Sequence, residues 1–445
     1  MLRLFFNVVL LIYNFIIRVY VLSIRIASVW NSKAKDWIDG RTGWQENLRK
    51  KIAPGDKIIW FHCASAGEFE QGKPIIEELK KNYPLYKILV SFFSPSGYHA
   101  AKNYQSADAI TYLPADTRKN AKRFIEIVRP ELVVFVKYEY WYHHLSAVAF
   151  HHIPLIMASA IFRKDQLFFK WYGRFYSRML FLFRQLFVQD ESSMTLLKSH
   201  NIDHCQVSGD TRFDRVKKIA DRFDEVPLLR EFVADAQVIV AGSTWKEDEA
   251  ILAAYVKHSP AKVIIAPHEI NKDHILHLQK LFPESILYSS LIQLLTQNEI
   301  TPTSIWSSIN AQEEKDIRKK LAGAKTLIID TMGLLSKIYR YATVTYVGGG
   351  FKRGIHNTLE AVVYGKPVLF GLQYQKFKEA KDLIRVGAAF SVGNAEDLKT
   401  KMDHLLNDPD YLSQTGKAAT DYVEKNTGAT GKILNYIQEN RLLTN

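Results

Sequence analysis

Directly after an apolar, β-rich run stands His62-Cys63-Ala64-Ser65-Ala66-Gly67-Glu68. Its small residues allow a tight strand-to-helix turn, and Glu68 then falls near the N-terminus of a helix. The helix dipole favours the ionised carboxylate there, which suits a general base. The same placement equally suits a carboxylate that only complements the dipole. His62 and Cys63 do not read as a catalytic dyad, because neighbours on a strand point to opposite faces. Cys63 reads as a small buried residue. A second constellation runs from Tyr346 through Gly348-Gly349-Gly350-Phe351-Lys352-Arg353-Gly354 to His356-Asn357-Thr358-Leu359-Glu360. A strand leads into a glycine-rich turn with two cations and then a helix start, where backbone N–H groups can cradle a phosphate. It is neither a P-loop nor a GxGxxG fingerprint. Asn357 and Glu360 also read as N-cap and reciprocal capping carboxylate; an anion site at this loop is the favoured reading. Asp330-Thr331-Met332-Gly333 and Ala241-Gly242-Ser243-Thr244 follow two further strands. Alone each is an ordinary N-cap turn; with the glycine loop they gather on one sheet edge, as a nucleotide site requires.

The elements that must position these residues are strands and helices in alternation. Expected strands are 57–63, 87–93, 109–113, 132–136, 154–159 and 185–188, then 237–241, 262–266, 285–288, 326–330, 343–347, 367–370 and 388–392. Continuous apolar runs imply parallel strands buried on both faces. The expected fold class is α/β: two doubly wound, Rossmann-like domains facing across a cleft, with active groups at the strand C-terminal ends. Thr244 with Glu247, and Asn357 with Glu360, mark helix starts. The expected divisions are an anchor helix 1–31, a first domain 32–205, a linker 206–235 and a second domain 236–425. The remainder, 426–445, is a C-terminal helix for which packing back on the first domain is one option. Residues 289–323 are polar and fit the pattern poorly.

With 445 residues and 47% hydrophobic side chains the chain has ample core, which excludes wholesale disorder. Two cysteines cannot form a disulfide framework, and no Cx2C zinc site is present. The formal charge of +13 favours an anionic partner. Residues 1–51 hold nine basic and three acidic side chains, so they supply +6 of it. Residues 4–30 are strongly apolar, and Arg3, Asn7, Asn14, Arg18 and Arg25 fall on one helical face. This suits attachment to a membrane, as an in-plane helix with arginines at the lipid phosphates or as a single span; on that reading the segment serves attachment and not folding. Residues 161–187 interleave ten aromatic and six basic side chains, Arg163 among them, with one acid. Nucleic-acid stacking, a lipid interface and a buried amphipathic helix all fit; lipid is preferred over nucleic acid.

Four spaced motifs carry a resemblance: Ser65-Ala66-Gly67-Glu68, Gly209-Asp210-Thr211-Arg212-Phe213-Asp214, Asp330-Thr331-Met332-Gly333, and Gly348-Gly349 with His356-Asn357-Thr358-Leu359-Glu360. In this order they resemble the Kdo transferases of lipopolysaccharide synthesis, which move 3-deoxy-D-manno-octulosonic acid (Kdo) from CMP-Kdo to lipid A precursor. The resemblance runs from the apolar N-terminus to about residue 425. It implies a GT-B fold, an inverting mechanism without a metal ion, no cofactor besides the donor substrate CMP-Kdo, and the cytoplasmic face of a bacterial inner membrane. Glu68 matches the family's catalytic glutamate. Ser65, Gly67, Glu139 and Arg163 fall on the acceptor side. Ser243, Thr244, Pro267, His268, Asp330, Thr331, Met332, Gly333, Gly348, Gly349, Lys352, His356, Asn357 and Glu360 fall on the donor side. Two places depart from the pattern. Lys137-Tyr138-Glu139-Tyr140-Trp141-Tyr142 stands for Glu-x-Glu-x-Trp-Pro, and Pro267-His268 for a Pro-Arg pair. The competing expectations are a GT-B enzyme using a UDP-sugar on another membrane lipid and, more remotely, a membrane-tethered nucleic-acid-binding protein.

Overall fold

The computed structural model describes residues 2–222, 225–296 and 311–444, with side chains from residue 6 onward except those of 294–296, 311 and 313. The Arg3 side chain and residues 297–310 of the polar stretch therefore lie outside the described residues. The chain forms two units, Met1–Arg215 with Asn426–Asn445, and Val216–Lys425.

In the first unit, β1 (Lys57–Cys63), β2 (Tyr86–Phe92), β3 (Ala109–Tyr112), β4 (Pro130–Val136), β5 (Leu155–Ala160), β6 (Gln185–Val188) and β7 (Cys205–Val207) make one sheet in the order β3-β2-β1-β4-β5-β6-β7. Every pairing is parallel. β1 and β4 are almost wholly buried, which is why their sequences run apolar without alternation. β7 has no counterpart among the expected strands: three residues at a sheet edge hold too little pattern to register. The second unit repeats the plan with β8 (Val238–Thr244), β9 (Lys262–Pro267), β10 (Ser285–Leu287), β11 (Thr326–Ile328), β12 (Val344–Val347), β13 (Val368–Gly371) and β14 (Ala389–Val392). Their order is β10-β11-β9-β8-β12-β13-β14, again all parallel. Strand order reverses between β1 and β4 in the first sheet and between β8 and β12 in the second. Doubly wound sheets bind ligands in the crevice beyond the strand ends at such points.

The boundary between the units, at Arg215 and Val216, falls within residues 206–235, but the stretch is structured: it takes in the end of β7 and the helices Thr211–Asp221 and Leu229–Val233. Polar contacts hold its first part on the first unit: Gln71 Nε2 donates to Asp210 Oδ1 (3.0 Å), and Thr211 Oγ1 donates to the Gln71 carbonyl (2.6 Å). The Asp214 carboxylate accepts from the N–H groups of Gly428 (2.5 Å) and Thr430 (2.6 Å), capping the C-terminal helix Ala429–Glu439. Ile433 and Ile437 of that helix are buried with Phe61, Ile75 and Phe187.

The N-terminal helix Leu2–Ala27 has two faces, and one of them belongs to the fold. Tyr13 and Ile17 are buried in the first unit's core, with Phe6, Val9 and Leu10 packed beside them. The Tyr13 hydroxyl donates to Asp116 Oδ2 (2.5 Å), and His143 Nε2–H reaches Asn14 Oδ1 (2.6 Å). Asn14 thus faces protein, whereas Arg18 and Arg25 are exposed. The expectation that this segment serves attachment and not folding is overturned by these buried contacts. The other face presents Leu11, Ile12, Phe15, Ile16, Leu22 and Ile26 to the outside. Phe6–Ala27 is also long and apolar enough to cross a membrane by length and composition. Residues 161–187 break into a turn, Leu167–Phe169, and a short helix, Arg174–Leu180. Phe162, Phe168, Phe175 and Phe183 are core residues, while Trp171 (93% exposed) and Tyr172 stand clear of it.

Candidate active site

Glu68 lies one turn beyond the C-terminal end of β1, at the start of the helix Ala66–Asn82. Ser65 is the N-cap, and its Oγ accepts from the Gly67 N–H (3.3 Å). Glu68 Oε2 accepts in return from the Ser65 N–H (3.1 Å) and hydroxyl, which closes a capping box. The dipole-complement role therefore exists, yet it occupies one oxygen only. Oε1 takes no hydrogen bond from the described residues.

Across the switch point, the loop after β4 turns at Lys137 (φ +68°) and carries Glu139. Glu139 Oε2 faces His62 Nε2 at 3.0 Å and also accepts from Trp141 Nε1–H. The Trp141 ring stacks on Phe93 with centroids 4.7 Å apart. Arg41 fixes that neighbourhood by donating to the carbonyls of Phe93 (2.7 Å) and Leu113 (2.8 Å), just past β2 and β3. Burial first, then the charges of Glu68 and Glu139, push the Cys63 thiol well above its ordinary value. Both carboxylates lie near the buried thiol. Burial likewise raises the Tyr138 hydroxyl; Arg163 and Arg212 oppose this, while Glu68 and Asp210 add to it. Arg163, Glu68 and the Asp210–Arg212 pair thus gather around Tyr138. Arg163 is exposed, and its own N–H is held by Gln166 Oε1 (3.0 Å). Gly67 is exposed at the turn.

In the second unit the expected donor residues collect at the strand ends, but several are already occupied. Gly348 must be glycine, since a Cβ there would lie 2.3 Å from the Ser243 carbonyl oxygen. Gly349 has φ +92°. The Gly348 N–H donates to Gly242 O (2.9 Å) and the Gly349 N–H to Asp248 Oδ2 (2.9 Å). The expected phosphate cradle is therefore wrong for these two groups, whose donors hold the loop. Asp248 also accepts from Trp245 N–H (2.9 Å) and Tyr346 OH (2.8 Å). Trp245 and Asp248, not Thr244 and Glu247, begin the helix Lys246–Val256. Thr244 Oγ1 is buried and donates to Glu249 Oε1 (2.9 Å), itself paired with His274. Ser243 takes a left-handed φ of +53° between them. Glu247 engages Lys352, so that cation is compensated, and Arg353 lies over Trp245, 3.9 Å from the ring centre.

Asp330 is filled as well: Oδ1 accepts from the Ser289 N–H (2.8 Å) and Oδ2 from the Ser289 hydroxyl. The helix expected to begin at Asn357 is a single turn, Leu359–Val362, with Thr358 as N-cap. Asn357 Oδ1 accepts from the Leu359 N–H (3.1 Å), and its amide donates to Glu360 Oε1 (3.0 Å). A helix this short supplies little dipole for an anion. Two hydroxyls in these loops, Thr331 Oγ1 and Thr358 Oγ1, are buried without a partner; a ligand must satisfy such groups if water does not. Met332 is exposed, and Gly333 sits at φ +87°. His268, after Pro267 at the end of β9, stacks on His356 (4.3 Å) and Trp245 (4.6 Å). Burial first, then His268, holds His356 down at about 4, so it is neutral and accepts from Trp245 Nε1–H (3.0 Å). A cavity of about 360 Å³ opens beside Gly349, Lys352 and Arg353, but Asp330, Asn357 and Glu360 do not line it.

Sequence reasoning assigned no role to His62 or Tyr138, although both stand in motifs it singled out, and it missed Ser91 and the contact of Gln71 with Asp210. Residues 38–215 match the family model described as 3-deoxy-D-manno-octulosonic-acid transferase (kdotransferase). The 3-deoxy-D-manno-octulosonic acid transferase of Haemophilus influenzae is 25% identical, covering 98% of both chains. That of Rickettsia felis is 25% identical, covering 90% of this chain and 82% of its own. Among solved structures, UDP-GlcNAc 2-epimerase from Neisseria meningitidis superposes with a TM-score of 0.56 at 16% identity, covering 86% of this chain and 100% of that one. This likeness establishes a GT-B-like fold of two parallel-sheet α/β domains. By its family match over residues 38–215 and its near full-length relatives at 25% identity, the chain is similar to the 3-deoxy-D-manno-octulosonic acid transferases.

Proposed function

We propose that the chain transfers Kdo from CMP-Kdo to lipid A precursor in lipopolysaccharide synthesis, inverting the anomeric centre and using no metal ion. The observation that carries the mechanism is Glu68: one oxygen is anchored in a capping box and the other is open at the switch point of the first sheet. Oε1 accepts the proton of an acceptor sugar hydroxyl as that oxygen attacks the anomeric carbon. The bond from that carbon to the CMP phosphate oxygen breaks, and attack from the opposite face inverts the centre. Glu139 and Arg163 belong to the acceptor side, with Ser65 and Gly67 shaping the turn. On the donor side, the unpartnered hydroxyls of Thr331 and Thr358 and the Asn357–Glu360 pair suit nucleoside and phosphate contacts. Ser243, Thr244, Asp330, Gly348, Gly349 and Lys352 hold the loops that frame them.

The outward apolar face of the helix Leu2–Ala27, with Arg18, Arg25 and Trp171 exposed, suits a lipid surface. Its inner face packs on an α/β unit, which favours an in-plane helix over a span. The membrane is the cytoplasmic face of a bacterial inner membrane, where a cytidine nucleotide donor is available. Purified protein with radiolabelled CMP-Kdo and lipid A precursor tests the reading. Labelled lipid should form in the presence of EDTA, with CMP competing and UDP not. Loss of product in EDTA, or competition by UDP alone, contradicts it.

A further inference from the structure

His62 is fully buried at the centre of the first sheet, and the transfer mechanism makes no use of it. In register it lies beside Ser91 of β2 and Phe135 of β4. Its ring joins three elements. Nδ1 lies 2.9 Å from Ser91 Oγ, Nε2 lies 3.0 Å from Glu139 Oε2, and the ring packs 4.9 Å from that of Phe135. Ser91 Oγ also accepts from Trp60 Nε1–H (2.7 Å). An indole nitrogen only donates, so it uses one lone pair of Ser91. The hydroxyl proton has two acceptors in reach, Nδ1 at 2.9 Å and the Phe61 carbonyl at 3.3 Å, and Nδ1 is the nearer; the carboxylate at Nε2 only accepts, which places the ring proton there. With Nδ1 accepting, the ring carries its proton on Nε2 and donates to Glu139. Trp141 Nε1–H donates to the same Oε2. Two N–H groups from opposite ends of the site thus saturate one oxygen, while Glu139 Oε1 takes no hydrogen bond from the described residues. The Glu139 side chain keeps 12% of its surface exposed, enough for that oxygen to meet a ligand.

We propose that His62 is a positioning residue for acceptor recognition: its Nε2–H, oriented by Ser91, aims Glu139 so that Oε1 accepts from a hydroxyl of the acceptor sugar. This rests on the proposed sugar transfer and specifies one contact within it. Sequence spacing hides the arrangement, since Glu139 stands 77 positions from His62.

The test uses the full-length protein in mixed micelles with CMP-Kdo and lipid A precursor. His62→Leu removes the donor and should raise the acceptor KM by about tenfold or more, as expected for a lost hydrogen bond to a charged group. The Kd for CMP should stay within about twofold. His62→Gln keeps an N–H near the Nε2 position and should recover most of the loss. In a Glu139→Ala background, His62→Leu should add little. If His62→Leu lowers kcat at unchanged acceptor KM, if His62→Gln is no better than His62→Leu, or if the full effect persists without Glu139, the proposal is overturned. Ser91→Ala, the milder perturbation, should raise the acceptor KM in the same direction should His62→Leu not fold. Imidazole ¹⁵N shifts of His62 supply a readout independent of activity: wild type should show an Nε2–H ring whose signal moves in Glu139→Ala. Absence of any Kdo transfer by wild type refutes the functional reading, whereas an Nδ1–H ring refutes this inference alone.

Discussion

Tyr13→Phe removes one oxygen from the molecule and leaves the rest of the N-terminal helix as it is. That oxygen makes two buried hydrogen bonds, donating to Asp116 Oδ2 at 2.5 Å and accepting from the Tyr142 N–H at 3.3 Å. The ring keeps its edge contacts with Tyr142 and His143 (6.1 and 6.0 Å) and its tilted contact with Phe175 (5.6 Å), so packing is preserved. Asp116 retains three donors, from the backbones of His143 and His144 and from His144 Nδ1. What is lost is one hydrogen bond to an ionised group plus a weaker one, and the expected cost is about 1.5–3 kcal/mol. Because the chain has two units, a single melting midpoint mixes them. Hydrogen exchange of the β1 and β4 amides reads the first unit alone. Their opening free energy should fall by that amount while β8 and β12 amides stay unchanged. Leu11→Ser, on the outward face, should instead weaken liposome binding and leave β1 exchange alone. A Tyr13→Phe protein with β1 protection unchanged within about 0.5 kcal/mol would return this helix to attachment only, because a lost charged hydrogen bond should exceed that value.

Asp116 also sets an acid limit. Burial pushes its carboxyl up, but hydrogen bonds and charge from His144, with the Tyr13 hydroxyl, outweigh burial and leave it below 3.8. Its contribution is thus present above about pH 3.8 and lost as pH falls through the lower folded value, which exchange of β1 amides against pH will show. His356 has the opposite charge type: depressed to about 4 from 6.5, it costs the second unit stability as pH falls from 6.5 towards 4, and His356→Gln should flatten that slope in β12 exchange. Glu360→Gln should weaken CMP binding by about 1–3 kcal/mol in a calorimetric titration. Unchanged CMP affinity would confine Glu360 to contacts within the protein, the bond from Asn357 among them.

Much of the first site was legible because its parts are local. The run from Lys57 to Glu68 holds a buried strand, a small-residue turn and a capping carboxylate in consecutive positions, each with its own pattern. His62 was not legible: its partners sit on β2 and in the loop after β4, and only the parallel register brings them to one ring. The glycine loop was found but misread in part. Nothing local says that Asp248, 101 positions earlier, takes the Gly349 N–H. Periodicity put Asn14 on a polar stripe with Arg18 and Arg25 and left Tyr13 among the apolar residues, and nothing local says that Asp116 and His143 are their partners. The edge strand Cys205–Val207 was too short to show a period.

Glu68→Gln gives the most direct test of the central claim. Glutamine can still accept from the Ser65 N–H, so folding and CMP affinity should be nearly unchanged, but it cannot take up the acceptor proton. Rapid-quench turnover of CMP-Kdo with lipid A precursor, products read by mass spectrometry, should show a Kdo-bearing lipid for wild type. For the variant, kcat should be lower by about 10²–10⁴-fold. Near-normal turnover in a folded Glu68→Gln protein would contradict the account and make Glu139 the next base to test.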